Sequence, residues 1–409
     1  MPNINTGIFA IQGFTISSIN FSEKGVILTI KRRRKTANCP TCLKRTKRLK
    51  DYRKWQTVLH LLLCNQKVYL TFRKRRFICS TCSKVFTEGY PFLSVGARKT
   101  IVVQNHALER LTDSSFKATT RRLGFAYSSL VSLLSKAFSL ESINWLAQTV
   151  EGKIRLGIDE HHFRKNQFVV TVANLLTGKP VHILPNDRKA TVVNFLKQLP
   201  YDVASKIDEV AVDMKAAFVH AVAETLPNVH IVVDHFHVIQ DANRHVNEAR
   251  KIEDDVQEKI KGEGPRRINW KVLVTAGEHL KPKQEQILAK YLSWYPAVST
   301  FYACKESLRD MYKSPTKKIA RERLERLIAQ MKRSDYPDLW IWSRTLTTYK
   351  EYILNYFDNH TTNAVTEGLH RKFKLVQRTA YGFRNPEVYV RRIMLACLPL
   401  TLLTIYPHN

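Results

Sequence analysis

The sequence predicts a multidomain α/β protein built around a sheet whose strands end in carboxylates. Three observations carry this expectation. Three short apolar runs each finish on an aspartate: Ile154-Arg-Leu-Gly-Ile-Asp159, Val210-Ala-Val-Asp213 and Val229-His-Ile-Val-Val-Asp234. Runs of β-branched residues that are apolar throughout read as buried strands, and the carboxyl ends of strands are where an open α/β sheet places its ligands. The 409 residues suffice for about two to four domains with cores of their own. The hydrophobic period also changes along the chain, from strand-like alternation in the first part to helical spacing after it.

Composition narrows the function. Lys and Arg number 66 against 35 Asp and Glu, a formal net charge of +31. An excess this large on a chain of otherwise globular composition points to a polyanion, most simply nucleic acid. A membrane surface is the weaker partner, because no run of about 18 apolar residues exists to span a bilayer. The opening MPNINTGIFAIQGF lacks a charged segment followed by a continuous apolar one, so no export signal is expected. Four of the seven cysteines fall in two Cys-x-x-Cys pairs. That favours metal binding in a reducing cytoplasm over a disulfide framework.

Residues 1–95 read as a basic zinc-binding β domain. Phe14, Ile16 and Ile19, then Val26, Ile27, Leu28 and Ile30, alternate enough for strands. Cys39-Pro-Thr-Cys42 and Cys79-Ser-Thr-Cys82 each bring two thiolates within reach of a tetrahedral ion, and together they predict one structural Zn²⁺. The 36 residues between Cys42 and Cys79 exceed ordinary finger spacing. A hairpin fills them, with Val58–Leu63 and Val68–Phe72 flanking Cys64-Asn-Gln-Lys67. Cys64 stands alone and reads as a small apolar residue. Arg32, Arg33 and Arg34 precede the first pair and Arg75 and Arg76 the second, with Tyr52, Trp55 and Phe77 interleaved. Such a face suits phosphate contact, a solvated basic surface being the alternative.

Residues 96–150 take helical periods. Phe116, Ala118 and Leu123 face one side of a short helix, Gly124-Phe-Ala turns, and Tyr127–Phe138 carries Leu130, Val131, Leu133, Leu134 and Phe138. Two short helices about a glycine-containing turn, with Lys117, Arg121 and Arg122 beside them, fit a DNA-binding helix-turn-helix. Any helical hairpin shares that periodicity.

Residues 151–240 follow with strands at Phe168–Asn174 and Val181–Leu184, joined by a Thr177-Gly178 turn. A helix over 190–199, the Asp213 strand, a helix over 216–226 and the Asp234 strand come next. The order β-β-β-α-β-α-β is that of the ribonuclease H-like fold. Its chemistry requires carboxylates on the first and fourth strands, near enough to share two divalent ions about 4 Å apart. Asp159 and Asp213 occupy those places. A third carboxylate comes from a later helix packed on the sheet, and Glu367 offers it, sharing a helical face with Asn363, His370, Arg371 and Lys374. The alternative is an acidic residue favoured in a first turn by the helix dipole. Glu367 lies 154 residues beyond Asp213, more than a compact core accommodates. Residues 241–359, rich in helix formers as at Ile319–Met331 and Leu346–Phe357, are therefore a helical insertion domain, and 360–409 return to the core. Trp270, Trp294, Trp340 and Trp342 read as packing residues. The stretch Val388–Tyr406 begins apolar and helical.

Taken in order, these segments resemble the ISL-three family of bacterial insertion-sequence transposases, of the DDE class with an N-terminal zinc-binding domain. The matching stretches are the two cysteine pairs with Arg76-Phe-Ile-Cys79, Gly157-Ile-Asp159-Glu160, Val212-Asp213-Met214, Asp234-His-Phe-His237-Val238, Thr362-Asn363-Ala-Val-Thr-Glu367-Gly368 and Ala380-Tyr-Gly-Phe-Arg-Asn385. The resemblance implies that Asp159, Asp213 and Glu367 form a catalytic triad holding two Mg²⁺ or Mn²⁺. It implies that Asp234 and His237 form an accessory D-x-x-H element. Its implied partners are double-stranded DNA, as terminal inverted repeats and target, and a second copy of the chain in a homodimeric complex. Its implied setting is the bacterial cytoplasm, associated with the nucleoid.

The leading expectation is thus an enzyme that cleaves DNA at element ends and joins the freed 3′ hydroxyl to a target. One alternative is a transposase-derived DNA-binding regulator without catalytic activity, against which the three carboxylates count. Another takes Asp159-Glu-His-His162 or Asp234-His-Phe-His237 as a mononuclear metal site. That reading leaves Glu367 and the basic N-terminal region unexplained.

Overall fold

The computed structural model describes residues 9, 11–64, 66–94, 96–137, 149–164, 167–259 and 267–397. Phe138 and the end of the predicted C-terminal apolar stretch lie outside them. The chain divides into two compact units, one of residues 1–143 and 374–409, the other of residues 144–373.

In the first unit β1 (Phe14–Ser22) and β2 (Gly25–Arg32) form one hairpin. Two small elements, β3 (Ala37–Asn38) and β4 (Arg45–Thr46), pair with each other, and β5 (Leu49–Tyr52) follows. β6 (Gln56–Leu63) and β7 (Gln66–Phe72) form the hairpin expected around Cys64. β2 pairs with β7 in parallel, giving a four-stranded sheet in the order β1-β2-β7-β6. Phe14, Leu28, Ile30, Val58, Leu70 and Phe72 point to one side and pack with Tyr90 and Phe92. Then β8 (Arg75–Ile78) and β9 (Val85–Thr87) join β5 in a three-stranded sheet.

Helices α1 (Ile101–Leu111), α2 (Phe116–Leu123) and α3 (Tyr127–Ala137) complete this part. Ser115 caps α2 by accepting from the Ala118 N–H, and Gly124 ends it at φ +65°, the left-handed region that glycine enters without a clash.

The second unit holds a five-stranded sheet of β10 (Ile154–Arg164), β11 (Gln167–Asn174), β12 (Lys179–Leu184), β13 (Ile207–Val212) and β14 (His230–Val233). Its order is β12-β11-β10-β13-β14, antiparallel among the first three strands and parallel from β10 to β14. The crossovers run through α4 (Lys189–Lys197), the short α5 (Tyr201–Ala204) and α6 (Ala216–Thr225). Leu156, Ile158, Val170, Val172, Val210 and Val212 are buried with Val192, Leu196, Phe218 and Val222 from these helices.

A long helix α7 (His235–Lys259) follows β14 directly. The insertion continues with α8 (Trp270–Val274), α9 (Pro282–Trp294), α10 (Pro296–Tyr312), α11 (Lys317–Lys332), α12 (Pro337–Leu354) and α13 (Tyr356–Asn359). The helical region was expected to begin at residue 241, but α7 starts at His235. Val238, Ala242, Val246 and Ala249 form one buried stripe across that boundary, so the helix has no reason to break there. Of the four tryptophans assigned to packing, Trp342 is fully buried and stacks on His245 at 4.8 Å, whereas Trp270, Trp294 and Trp340 are exposed.

Two helices close the chain, α14 (Ala364–Thr379) and α15 (Pro386–Cys397). Residues 360–409 were expected to return to the core as one piece, yet the chain from Lys374 onward belongs to the first unit. The reason is the apolar face of α15: Val388 and Leu395 pack with Val103, Leu108, Leu130 and Leu134 of α1 and α3. Arg392, fully buried, donates to the Ser114 carbonyl at 3.2 Å, and burial pushes its guanidinium down to about 10.

The start of α14 lies against β10 because Gly157 has no side chain. A Cβ at that position would sit 2.6 Å from Asn363 Oδ1, 2.6 Å from Leu175 Cδ2 and 3.2 Å from Thr366 Cγ2. Gly157→Ala is therefore expected to destabilise the protein by about 1–3 kcal/mol through overpacking. Gly368→Ala on the same helix meets nothing within 4 Å, and is expected to stabilise by about 0.5–1 kcal/mol. Urea unfolding of the two variants checks the pair, and equal midpoints would refute the close approach.

Candidate active site and zinc site

Strand register builds the candidate active site. Ile158 pairs with Val212 across β10 and β13, and Val212 pairs with Val233 across β13 and β14. Both pairings join parallel neighbours about 4.8 Å apart. The next residues, Asp159, Asp213 and Asp234, therefore stand in one row at one level of the sheet. The same alternation puts Gly157, Thr171 and Glu209 on the face of Asp159, opposite the Leu156–Ile158 core.

His237, in the first turn of α7, lies among the three carboxylates. Its Nδ1 is 3.3 Å from Asp213 Oδ1, and its Nε2 is 3.7 Å from Asp159 Oδ1 and 4.0 Å from Asp234 Oδ2. Asp159 is 4 % exposed, and burial pushes its carboxyl up to about 6. Asp213 adds to that rise, while His237 and the Thr366 hydroxyl oppose it. Burial raises Asp213 as well, against His237 and the Met214 N–H.

Helix α14 supplies the other side. Thr366 Oγ1 donates to Asp159 Oδ2 at 3.3 Å, and His370 Nδ1 lies 3.6 Å from the same oxygen. His370 Nε2 meets Thr171 Oγ1 at 3.0 Å, which fixes the ring. Asn363 Nδ2 donates to the Ile158 carbonyl at 3.5 Å. Glu367 is half-buried, one residue after Thr366 and three before His370, so the two residues that hold Asp159 flank it on the helix. Among the described residues its carboxylate makes no ion pair. Nor do the carboxylates of Asp159, Asp213 and Glu367 close to within 4.8 Å of one another, a distance that among the described residues only the cysteine set reaches.

The donors fit a hard divalent ion: carboxylate oxygens with one imidazole, on a rigid sheet edge. Asp234 Oδ1 and His237 Nε2 are buried without a hydrogen-bond partner among the described residues, with His235 Nδ1 3.6 Å from Asp234 Oδ1. Beside the row, Lys215 Nζ pairs with Glu160 Oε2 at 2.7 Å and with Asp187. Sequence reasoning missed Asp187, Lys215 and Thr366, and it named Glu160 without its pairing to Lys215. It put His370 on the face of Glu367 without giving it a role.

The cysteines form the second site. Cys39 and Cys79 each follow a short strand, and each accepts at its carbonyl from the residue after the second cysteine, Leu43 N at 3.0 Å and Ser83 N at 3.1 Å. Leu43 (φ 60°) and Ser83 (φ 55°) turn the chain through the left-handed region in the same way. Cys39 and Cys82 Sγ are 3.7 Å apart and Cys42 and Cys79 Sγ 3.4 Å, and all four sulfurs lie within 4.8 Å. A tetrahedral Zn²⁺ with bonds of about 2.3 Å requires sulfurs roughly 3.8 Å apart, so the quartet fits. The N–H groups of Cys82 and Thr81 point at Cys79 Sγ and lower that thiol to about 6, towards the thiolate a metal takes.

The predicted DNA-contacting arginines divide. Arg75, 12 % exposed, forks onto buried Glu88, with Nε and Nη2 at 2.8 and 2.7 Å from its oxygens. Arg32 donates to the Gly89 carbonyl at 2.7 Å and lies 3.6 Å from Glu88. Arg76 forks onto Asp51, and Arg34 bonds Thr36 and Asn38. Arg33, Lys117, Arg121 and Arg122 are exposed, and among the described residues none of the four has a carboxylate partner.

Comparison with known proteins gives the family. Residues 156–393 match a family model described as transposase, and residues 35–82 match one described as the zinc-finger of transposase IS204/IS1001/IS1096/IS1165. The chain is 24 % identical over 398 residues to the transposase for insertion sequence element IS1001 of Bordetella parapertussis, covering 94 % of this chain and 95 % of that protein. It is 25 % identical over 268 residues to the transposase for IS1557 of Mycobacterium tuberculosis, 59 % of each chain. With the carboxylate-bearing sheet and the cysteine ribbon both matched, the chain belongs to the ISL-three family of DDE insertion-sequence transposases.

Proposed function

We propose that the protein binds the terminal inverted repeats of its own insertion sequence, cleaves DNA there and joins the freed 3′ end to a target. The observation that carries this reading is the placement of Asp159 and Asp213. They follow paired residues of adjacent parallel strands, with Thr366 of the Glu367 helix bonded to the first. The same reading takes the five-stranded sheet with its α4–α6 crossovers as a ribonuclease H-like core, the order β12-β11-β10-β13-β14 supporting it, and α7–α13 as its insertion. In this reading Asp159 and Asp213 with Glu367 hold two Mg²⁺ or Mn²⁺, which supply the charge that activates the attacking oxygen and stabilises the leaving one.

The chain's own residues prepare that site. Thr366 and His370 engage Asp159 Oδ2 and leave Oδ1 turned to the row. His237 stands among the three aspartates, 3.3 Å from Asp213 and 3.7 Å from Asp159. Asp234, capping α7 through its carbonyl bonds to the His237 and Val238 N–H groups, places His237 there. The DNA contacts fall to Lys117, Arg121 and Arg122 of an α2–α3 helix-turn-helix, with Arg33 and the neighbouring basic residues of the zinc unit. Two copies of the chain act together on the two ends of one element.

Asp159→Asn, Asp213→Asn or Glu367→Gln is expected to reduce cleavage and joining at least about 100-fold, some 2.7 kcal/mol of barrier. End binding is expected to remain. Cleavage assays on terminal-repeat DNA with Mg²⁺ check this, and wild-type-like cleavage by Asp213→Asn would sink the assignment. His237→Ala is expected to slow strand transfer while the melting temperature stays put; a joint fall in both marks the ring as structural only. Cys79→Ser is expected to lose the single Zn²⁺, measured by atomic absorption, and selective binding of the ends with it. A metal-free protein that still selects the ends in a mobility-shift assay would show that the ribbon is not needed for reading them.

A further inference from the structure

The turn that ends α14 carries a feature the proposed chemistry does not use. Tyr381 is 92 % exposed, and its φ of +59° lies in the left-handed region, which disfavours any residue but glycine. The turn does not relax, because it is tied on both sides. Tyr381 N donates to the Arg378 carbonyl at 3.1 Å and Gly382 N to the Gln377 carbonyl at 2.9 Å, closing the helix end. Downstream, Phe383 packs on buried Tyr389 at 5.2 Å. Upstream, Val376 is buried. An aromatic ring is thus held out in solvent by a strained backbone, and strain of this kind collects at sites that bind.

Its surroundings name the partner. Tyr381 borders a groove of about 810 Å³ whose walls include Ser115, Phe116, Lys117, Arg121 and Tyr127. Tyr127, also exposed, lies 5.2 Å from Phe116. Lys117 and Arg121 face this groove with no carboxylate partner among the described residues, unlike Arg75 and Arg76. Cations without counterions beside two exposed phenols suit a polyanion with stackable or apolar edges. We infer that the Ala380-Tyr381-Gly382 turn is a second DNA-contacting element. The Tyr381 ring packs against sugar and base edges of a duplex whose phosphates lie on Lys117 and Arg121. This rests on the DNA-binding reading above and adds to it a contact from the C-terminal part of the chain.

The test uses the full-length protein and a fluorescent duplex carrying the terminal repeat of its element, read by anisotropy across a salt series. Tyr381→Ala is expected to weaken binding about tenfold with the melting temperature unchanged, since the exposed ring packs on nothing among the described residues and Ala keeps the same Cβ in the left-handed turn. Tyr381→Phe keeps the ring and is expected to bind within about threefold of wild type. Lys117→Gln is expected to flatten the log–log salt dependence by about 0.9, whereas Tyr381→Ala leaves the slope alone. Three outcomes overturn the inference: Tyr381→Ala binding as wild type does, a melting temperature that falls along with affinity, or sedimentation showing that Tyr381→Ala splits a dimer while affinity for DNA holds. Failure of the wild-type protein to bind the duplex would defeat the DNA-binding reading itself, a result distinct from all three.

Discussion

A buried anion organises the second unit. Asp159 sits in the middle of an eleven-residue strand whose other face is packed with aliphatic side chains, and at 4 % exposure it has lost nearly all of its water. Desolvation of that order makes the charged form costly unless something replaces the solvent. The fold supplies three replacements from two helices: a hydroxyl and an imidazole from α14, and the imidazole of His237 from α7. Each requires a backbone to come close. α14 comes close only because residue 157 is glycine, and α7 only because Asp234 ends its strand one residue past the paired valines and starts the helix at once. The insertion that separates Asp213 from Glu367 is tolerated because it leaves and rejoins at these two helices.

Much of this was legible in the sequence, and for physical reasons. A strand buried on both faces is apolar throughout, so the aspartates that end such runs stand out. Cysteine pairs at knuckle spacing have few other uses, and the quartet is found assembled. The helix formers between Asp213 and Glu367 announced helices, and that stretch is helical from α7 to α13. What stayed hidden depends on partners far away in sequence. Thr366 and His370 look like ordinary helix residues until β10 is set beneath them. The apolar face of α15 says that it packs, but not that it packs on α1 and α3. The start of α7 was misplaced because His235-Phe-His237 resembles a motif more than a first helical turn.

Charge is the other place where counting and structure part. The block around the cysteines looks uniformly suited to phosphate, yet Arg75 and Arg76 each fork onto an acid of the same unit, and Arg32 closes against Glu88. A bidentate guanidinium–carboxylate pair fixes geometry more than it offers charge. Arg76 ties β8 to β5, Arg75 ties β8 to Glu88 just past β9, and Arg32 ties the end of β2 to the same Glu88. Of the predicted DNA-contacting residues, those without a carboxylate partner among the described residues are Arg33 and Arg34 ahead of the first cysteine and Lys117, Arg121 and Arg122 on α2.

The return of the chain to its first unit has a consequence for synthesis. α15 leaves the ribosome after every residue of the sheet unit, so the sheet unit is complete and able to fold while α1–α3 still lack their cover. Until then Val103, Leu108, Leu130 and Leu134 wait for Val388 and Leu395, and the Ser114 carbonyl waits for Arg392. Newly made chains pass through an interval in which an apolar surface of the first unit is open to aggregation or to chaperones. A message broken shortly before codon 386 would yield a protein with all its candidate metal ligands and an unfinished helical cluster.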